Sequence, residues 1–426
     1  MEPQDTLLIG QTLVLNGPDP AAAQHDSRGA VLIRSGRIAE VGGADALRAA
    51  HPAADVVDYG DHLILPGFID AHVHYPQTAI IASWGKRLID WLNTYTFPEE
   101  MRFNNAAYAA DIAERFFDLS LGAGTTTVAS YCTSHPESVD AFFTEAQQRG
   151  LRAIAGKTCM DRNAPDALCD TATRAYDESK ALIDRWHGVD RLSYAITPRF
   201  TPTSTPEQLH ALGALWSERP ACLMQTHLSE QTDEIAWVRE LCPEARDYLD
   251  TYEAAGLLEE RGIYGHAIHL TEREQDRLAE IGAALAHCPT SNTFIGSGLF
   301  DMGLAARMTV GLATDTGGGS SFSMLRTMAA AYEIAQLRSR SLHPAELLWM
   351  ATGASAMALR QEAHIGQLRA GMEADLVVLN LASTPAIAQR SARAADIWEA
   401  VFPTIMMGDD RAIHDVRVAG RSVRLC

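Results

Sequence analysis

Between Pro66 and about Ala370 the sequence alternates short apolar, β-rich runs with longer stretches rich in Ala, Leu, Glu and Arg, and this alternation limits the fold more than any other feature. Eight runs can be counted: PGFIDAHVH (66–74), TTTVASY (125–131), RAIAGKT (152–158), RLSYAITPRF (191–200), CLMQTHLS (222–229), IYGHAIHL (263–270), AALAHCPTSN (283–292) and TVGLATDTG (309–317). Repeated strand–helix units imply a parallel sheet. Eight of them predict an α/β chain folded as a closed (β/α)8 barrel.

The flanks read differently. LLIGQTLVL, AVLIRSGRIAEVG with a turn at Ser35-Gly36, and DVVDYGDHLILPG are short strands, and β runs with Gly turns return in 365–380 and 411–425. Neither end alone has enough strands for a two-sided core, so the two are expected to share one small β-sandwich. The predicted division is residues 1–65 and 371–426 for this composite unit and 66–370 for the barrel. At 426 residues, 47% of them hydrophobic, the chain has the size for one large domain with a smaller one appended.

Charge and cysteine usage narrow the function classes. A formal charge of -19 repels phosphate backbones and anionic membranes, so nucleic acid and membrane are not expected partners. The opening Met1-Glu2-Pro3-Gln4-Asp5 lacks a basic, apolar leader, and no run approaches a spanning helix, which predicts a soluble, cytoplasmic protein. Seven scattered cysteines (Cys132, Cys159, Cys169, Cys222, Cys242, Cys288, Cys426) form no C-x-x-C pair, which argues for reduced thiols and against a cysteine-based zinc site.

His72 and His74 form H-x-H at the end of the first run. Residues two apart on a strand share a face, so both imidazoles can project into the barrel mouth. His227 ends the fifth run, His266 lies in the sixth and Asp315 ends the eighth, and strand C-termini converge on one face of a barrel. Imidazoles plus a carboxylate suit Zn²⁺ or Fe²⁺ with room for water. Glu230, three residues after His227, is placed to exchange protons with that water. Some barrel hydrolases bridge two metals through a carboxylated lysine on the fourth strand; here Lys157 falls on the third and the fourth has none, so one metal per chain is expected.

Three other patterns are set aside. His135-Pro136-Glu137 lacks the P-C-x-x-C partner of a deaminase zinc site. Asp315-Thr316-Gly317 copies an aspartic-protease triplet, but it occurs once and within a βα pattern. Gly317-Gly318-Gly319-Ser320 lacks the G-K-[ST] ending of a P-loop and reads as a strand-to-helix loop.

Together PGFIDAHVH, THLSE, GHAIH, AHCPTSN and TDTGGG resemble the amidohydrolase superfamily, specifically its single-metal aminohydrolases, along essentially the whole chain. The resemblance implies His72, His74, His227 and Asp315 as ligands of one divalent metal, Zn²⁺ in first place with Fe²⁺ as the alternative. It implies Glu230 as proton shuttle, His266 as a transition-state-stabilising residue, and Asp315 as a catalytic residue too. His269 lies beside His266, and the family's A/G-H pattern falls on His266. The finer resemblance is to the guanine deaminase family, carried by His74-Tyr75-Pro76-Gln77, DWLNTYTFPEE (90–100), Pro198-Arg199-Phe200 and CPTSNTFIGSGLF (288–300). It implies a purine substrate, hydrolysis of guanine to xanthine and ammonia, a homodimer, and substrate contacts from His74, Tyr75, Pro76, Gln77, Arg199, Phe200, His227, Glu230 and Asp315. Within these, Gln77 and Arg199 would read the polar edge of guanine and Phe200 pack on its ring. The alternative reading is a related aminohydrolase acting on 8-oxoguanine, a pterin or an adenosine derivative.

Overall fold

A computed structural model describes residues 5–85 and 87–423. Met1–Gln4, Cys426 and the last residues of the 411–425 run lie outside the described residues. Eight parallel strands form the barrel, in chain order Phe68–His74, Thr125–Tyr131, Arg152–Gly156, Leu192–Pro198, Leu223–Leu228, Gly262–His266, Ala284–His287 and Thr309–Leu312. The seam between the last strand and the first is joined by the Asp315 N–H donating to the His72 carbonyl (3.0 Å) and the His74 N–H donating to the Thr316 carbonyl (2.7 Å).

Side-chain size sorts the two faces of this sheet. Ile69, Ala71, Ala129, Ile154, Ala195 and Ile263 fill the narrow interior, where mostly small side chains fit. Phe68, Val73, Val128, Tyr194, Met224 and Val310 point outward and pack under the helices. In the first strand the register slips between Asp70 and Val73. Ala71 therefore belongs to the interior cluster while its neighbour His72 joins His74 at the mouth, an example of a bulge re-aiming side chains.

All eight expected strands are present, but six end sooner than the apolar runs, three of them by four residues or more. The sixth stops at His266 (φ +64°) and the eighth at Leu312, with Asp315 beyond it at φ +49°; a left-handed residue cannot continue a strand. The seventh stops at His287, because Pro289 opens the helix Pro289–Phe294. In each case the polar residue sits where the chain leaves the sheet.

The two ends of the chain share one seven-stranded sheet, ordered 421–422, 413–418, 376–379, 55–66, 6–14, 24–34 and 37–43. Strand Leu376–Leu379 pairs antiparallel with Asp55–Pro66, which leads into the first barrel strand. Leu8, Val31, Ile64 and Val378 bury one face, whereas Leu7, Ile9, Ala30 and Leu32 bury the other against the helix Ala44–Ala50. The start of Gln24–Arg34 was not expected as strand: its first five side chains are exposed and polar, so no apolar alternation marks them.

Candidate active site

At the C-terminal mouth of the barrel, His72, His74 and His227 each present a ring nitrogen within one small cluster, and a second cluster joins His72, His266, Cys288 and Asp315, all within 4.8 Å of one another. Asp315 Oδ1 lies 3.4 Å from both His72 Nε2 and His74 Nε2. His74 Nε2 and His227 Nε2 face each other at 3.1 Å. His227 Nδ1 lies 2.7 Å from the Arg199 carbonyl, which can only accept, so Nδ1 carries the proton and Nε2 offers a lone pair. His72 Nε2 is buried with no hydrogen-bond partner among the described residues. Burial holds His72, His74 and His227 below the ordinary histidine range, which favours their neutral forms. A neutral imidazole keeps one nitrogen free of a proton, so the three rings can turn lone pairs toward a common cation. A side chain at Gly265 would run into the His72 ring (2.6 Å), so glycine there makes room for the cluster.

The acid–base groups lie on the adjacent side. Glu230 follows Ser229, whose φ of +49° turns the chain off its strand, and the carboxyl is 2% exposed. Glu234 Oε2 accepts the backbone N–H of Glu230 (2.9 Å) and of Gln231 (3.0 Å), fixing that turn. Ser297 Oγ donates to Glu230 Oε1 (2.8 Å), and Glu230 Oε2 lies 3.5 Å from His266 Nε2. His266 Nδ1 pairs with Asn292 Oδ1 at 2.9 Å. Burial raises the Glu230 carboxyl above the usual range, more than the His266 charge lowers it. For His266 burial works downward, but the charges of Glu230 and Asp315 outweigh it and lift the imidazole above its usual value. Burial also opposes ionisation of Asp315, yet His72 and His266 bring it down to about 2.

A cavity opens onto these groups, lined by His74, His227, Glu230, His266 and Asp315 together with Gln77, Arg199, Phe200, Leu88, Trp91, Leu92, Ile295 and Gly318. The structure therefore brings together His72, His74, Gln77, Arg199, Phe200, His227, Glu230, His266 and Asp315. It does not bring in two of the expected substrate contacts. The Tyr75 ring is fully buried in the helix layer among Phe103, Phe116 and Phe142, its hydroxyl donating to the Ser138 carbonyl (2.6 Å), and Pro76 is not on the cavity wall. Tyr75 begins a 3₁₀ turn (Tyr75–Ile80) whose geometry, not strand alternation, decides which side chain faces in. Gln77 is the one that does. His269 stands off the cavity, its Nε2 2.8 Å from the Ser297 carbonyl.

Sequence reasoning drew no residue from DWLNTYTFPEE or from the far end of CPTSNTFIGSGLF. Those segments supply Trp91, Leu92 and Ile295 to the wall, Asn292 and Ser297 to the acid–base pair, and Glu100, which accepts from Gln77 and Arg199. The available signal was their position after strands one and seven, where barrel loops build sites. Cys288 was counted only as a thiol; burial pushes it well above the ordinary cysteine range, so it stays protonated.

Residues 63–423 match the Amidohydrolase family, and residues 29–54 match an imidazolonepropionase-like composite domain from bacteria. The chain is 41% identical over 422 residues to the guanine deaminase of Escherichia coli (strain K12), covering 97% of this chain and 96% of the relative. A solved structure of E. coli guanine deaminase superposes with a TM-score of 0.95 at 40% identity, over 98% of this chain and 99% of that one. A guanine deaminase from C. acetobutylicum with bound guanine in its active site superposes with a TM-score of 0.91 at 27% identity, over 99% of this chain and 100% of that one.

Proposed function

The chain belongs to the amidohydrolase family, and from that premise we propose that it deaminates guanine by hydrolysis, releasing xanthine and ammonia. The observation that carries the reading is the cavity itself. Its lining combines members of a ligand cluster and an acid–base pair with Gln77, Arg199 and Phe200.

His72, His74, His227 and Asp315 would hold one divalent metal, with zinc favoured by three neutral imidazoles and one carboxylate. When bound, that ion supplies Lewis-acid activation of a water molecule. Glu230 takes one proton from the water as its oxygen bonds to the guanine carbon bearing the amino group and delivers it to a ring nitrogen, then carries the remaining proton of the added hydroxyl to the departing nitrogen as the carbonyl forms. The C–N bond breaks, ammonia leaves, and guanine plus water has become xanthine plus ammonia. Ser297 pins one Glu230 oxygen, leaving the other toward His266. His266, with Nδ1 paired to Asn292, turns Nε2 toward Glu230 and Asp315, whose charges favour a proton there, so that charge building at the site would meet a donor. Phe200 offers an apolar face to the purine ring. The same reading supports a homodimer, a cytoplasmic location, and a division into a composite unit (1–65 and 371–426) and a catalytic barrel (66–370).

Ammonia release from guanine, adenine and cytosine tests the proposal, with metal measured on the same preparation. We expect about one equivalent of metal per active chain. Guanine should be turned over and adenine disfavoured by roughly 10⁴ in kcat/KM, because a buried polar wall left unpaired by the wrong edge stays desolvated. A pterin or adenine preferred by kcat/KM would sink the guanine reading.

A further inference from the structure

We propose that Glu100 is a positioning residue: it sets which hydrogen-bonding face Gln77 and Arg199 turn to the substrate, and so the discrimination between guanine and adenine. The inference rests on the guanine reading above.

Glu100 ends the short helix Phe97–Glu100, is 1% exposed, and is not on the cavity wall. Its carboxylate is shared by the two polar residues that are. Oε1 accepts from Gln77 Nε2 (3.1 Å) and Arg199 Nη1 (3.0 Å), and Oε2 accepts from Arg199 Nη1 (2.8 Å). On the other side of Gln77, the Gly317 N–H points to Oε1 at 3.4 Å. Glycine is required for that approach, since a Cβ at 317 would meet the Gln77 carbonyl oxygen at 2.8 Å.

A glutamine amide has two ends of nearly equal size and opposite hydrogen-bonding character, and only its neighbours decide which way round it sits. Here both neighbours give the same answer. A carboxylate can only accept, so Nε2 faces Glu100; a backbone N–H can only donate, so Oε1 faces Gly317. Flipping the amide would set two acceptors and two donors against each other. Nε2 therefore keeps one hydrogen for the cavity. Arg199 spends Nη1 on Glu100, and its Nε and Nη2 have no hydrogen-bond partner among the described residues. The polar wall is thus made of donors. Guanine brings a carbonyl and ring-nitrogen acceptors to such a wall, whereas adenine brings an amino donor in place of the carbonyl.

The neighbouring acid shows that this arrangement is specific to position 100. Glu99 points out to Arg102 (3.0 Å) and Tyr108 and touches neither Gln77 nor Arg199. Glu100 also links two stretches distant in sequence, the turn after the first strand and the end of the fourth, and Gln77 carries the link on to the glycine loop after the eighth.

The test compares wild type, Glu100→Gln, and the exchange Gln77→Glu/Glu100→Gln, which keeps one amide and one carboxylate in the pair. Each is assayed for guanine kcat and KM, for adenine as a competitive inhibitor, for metal content and for thermal unfolding. In Glu100→Gln the partner can donate as well as accept, so Gln77 is free to flip. The guanine KM should rise about tenfold or more with kcat changed far less, and the ratio of adenine Ki to guanine KM should fall about tenfold or more. The exchange, which puts an acceptor-only group at position 77, should lower that ratio further, with metal retained. Metallated, folded variants whose ratio stays at the wild-type value would overturn the proposal. So would an equal loss of guanine and adenine binding together with metal, which would make Glu100 a structural acid. Failure of the wild-type enzyme to turn over guanine is a separate result, and removes the functional reading on which the proposal stands.

Discussion

Two buried polar clusters sit at opposite ends of the same barrel, and they are finished in opposite ways. At the base, Arg152 opens the third strand and Arg191 precedes the fourth; both meet Glu373, and Arg191 also meets Asp375, in the segment that leads into the terminal sheet. All four carboxylate oxygens accept an N–H: Glu373 from Arg152 Nη2 (2.6 Å) and Nε (3.0 Å), Asp375 from the Ala419 N–H (2.8 Å) and from Arg191. Arg152 adds a bond to Gln361 Oε1 (2.5 Å) and Arg191 one to the Gly150 carbonyl (2.9 Å). The base does leave one buried atom, Arg191 Nε, without a hydrogen-bond partner among the described residues, but its charges are paired. At the mouth, His72 Nε2 lacks a hydrogen-bond partner among the described residues, the His74 and His227 Nε2 atoms face each other, and a raised acid stands beside a raised base. Neither burial nor a single unpaired atom therefore marks a functional site. The mark is several ring nitrogens and a perturbed acid–base pair gathered at one cavity.

The largest expected difference comes from the mouth. Glu230→Gln preserves shape and removes the base, so kcat should drop by roughly 10² to 10⁴ with metal content unchanged. Stability should not drop with it. A carboxyl whose folded pKa lies above its unfolded value favours folding only where it is protonated, at acid pH, and opposes it as pH rises through the folded value. At neutral pH the amide therefore removes a penalty. A matched loss of kcat and unfolding midpoint in this variant would break the contrast between the clusters.

The base should behave in reverse. Glu373→Ala takes the carboxylate from the buried Arg152 guanidinium and one of two from Arg191, and is expected to cost about 3–5 kcal/mol in denaturant unfolding, while the enzyme that remains folded keeps its kcat. An unchanged unfolding midpoint would show that the base is not a staple between barrel and sheet.

The smallest effect sharpens the scale. Asp111 and Arg115 form an exposed pair one turn apart on the helix Ala106–Gly122, at 3.0 Å. Asp111→Ala should change stability by less than about 0.5 kcal/mol and activity not at all. A larger loss would mean that pair geometry, rather than burial, sets the cost at Glu373 as well.

How much of this was legible in the sequence depends on the kind of element. The convergence at the mouth was readable because His72, His74, His227 and Asp315 close apolar runs, and the ends of parallel barrel strands have one place to meet. Glu230 was readable from its offset to His227. The substrate wall was harder to read. Tyr75, Pro76 and Gln77 are consecutive in a 3₁₀ turn, where no two-residue period says which faces in, and the tyrosine went to the core. Asn292 and Ser297 lie past a strand that Pro289 cuts short, in a segment the apolar pattern had assigned partly to the sheet.

By itself the sequence determined the number of barrel strands, the sharing of one sheet by the two ends of the chain, and which polar residues arrive at the mouth. Those follow from local periodicity, which every eight-residue window carries. Only the tertiary structure decided that Glu100 rather than Glu99 meets Gln77 and Arg199, that the Gln77 amide lies between Glu100 and Gly317, and that His72 Nε2 has no hydrogen-bond partner among the described residues. Each of these depends on groups far apart in the chain, Glu100 and Arg199 being 99 residues from one another. It depends also on single backbone irregularities, such as the slip between Asp70 and Val73 and the left-handed turns at Ser229 and Asp315. Such irregularities cost conformational energy locally and are held in place by the packed barrel around them, so no short stretch of sequence announces them.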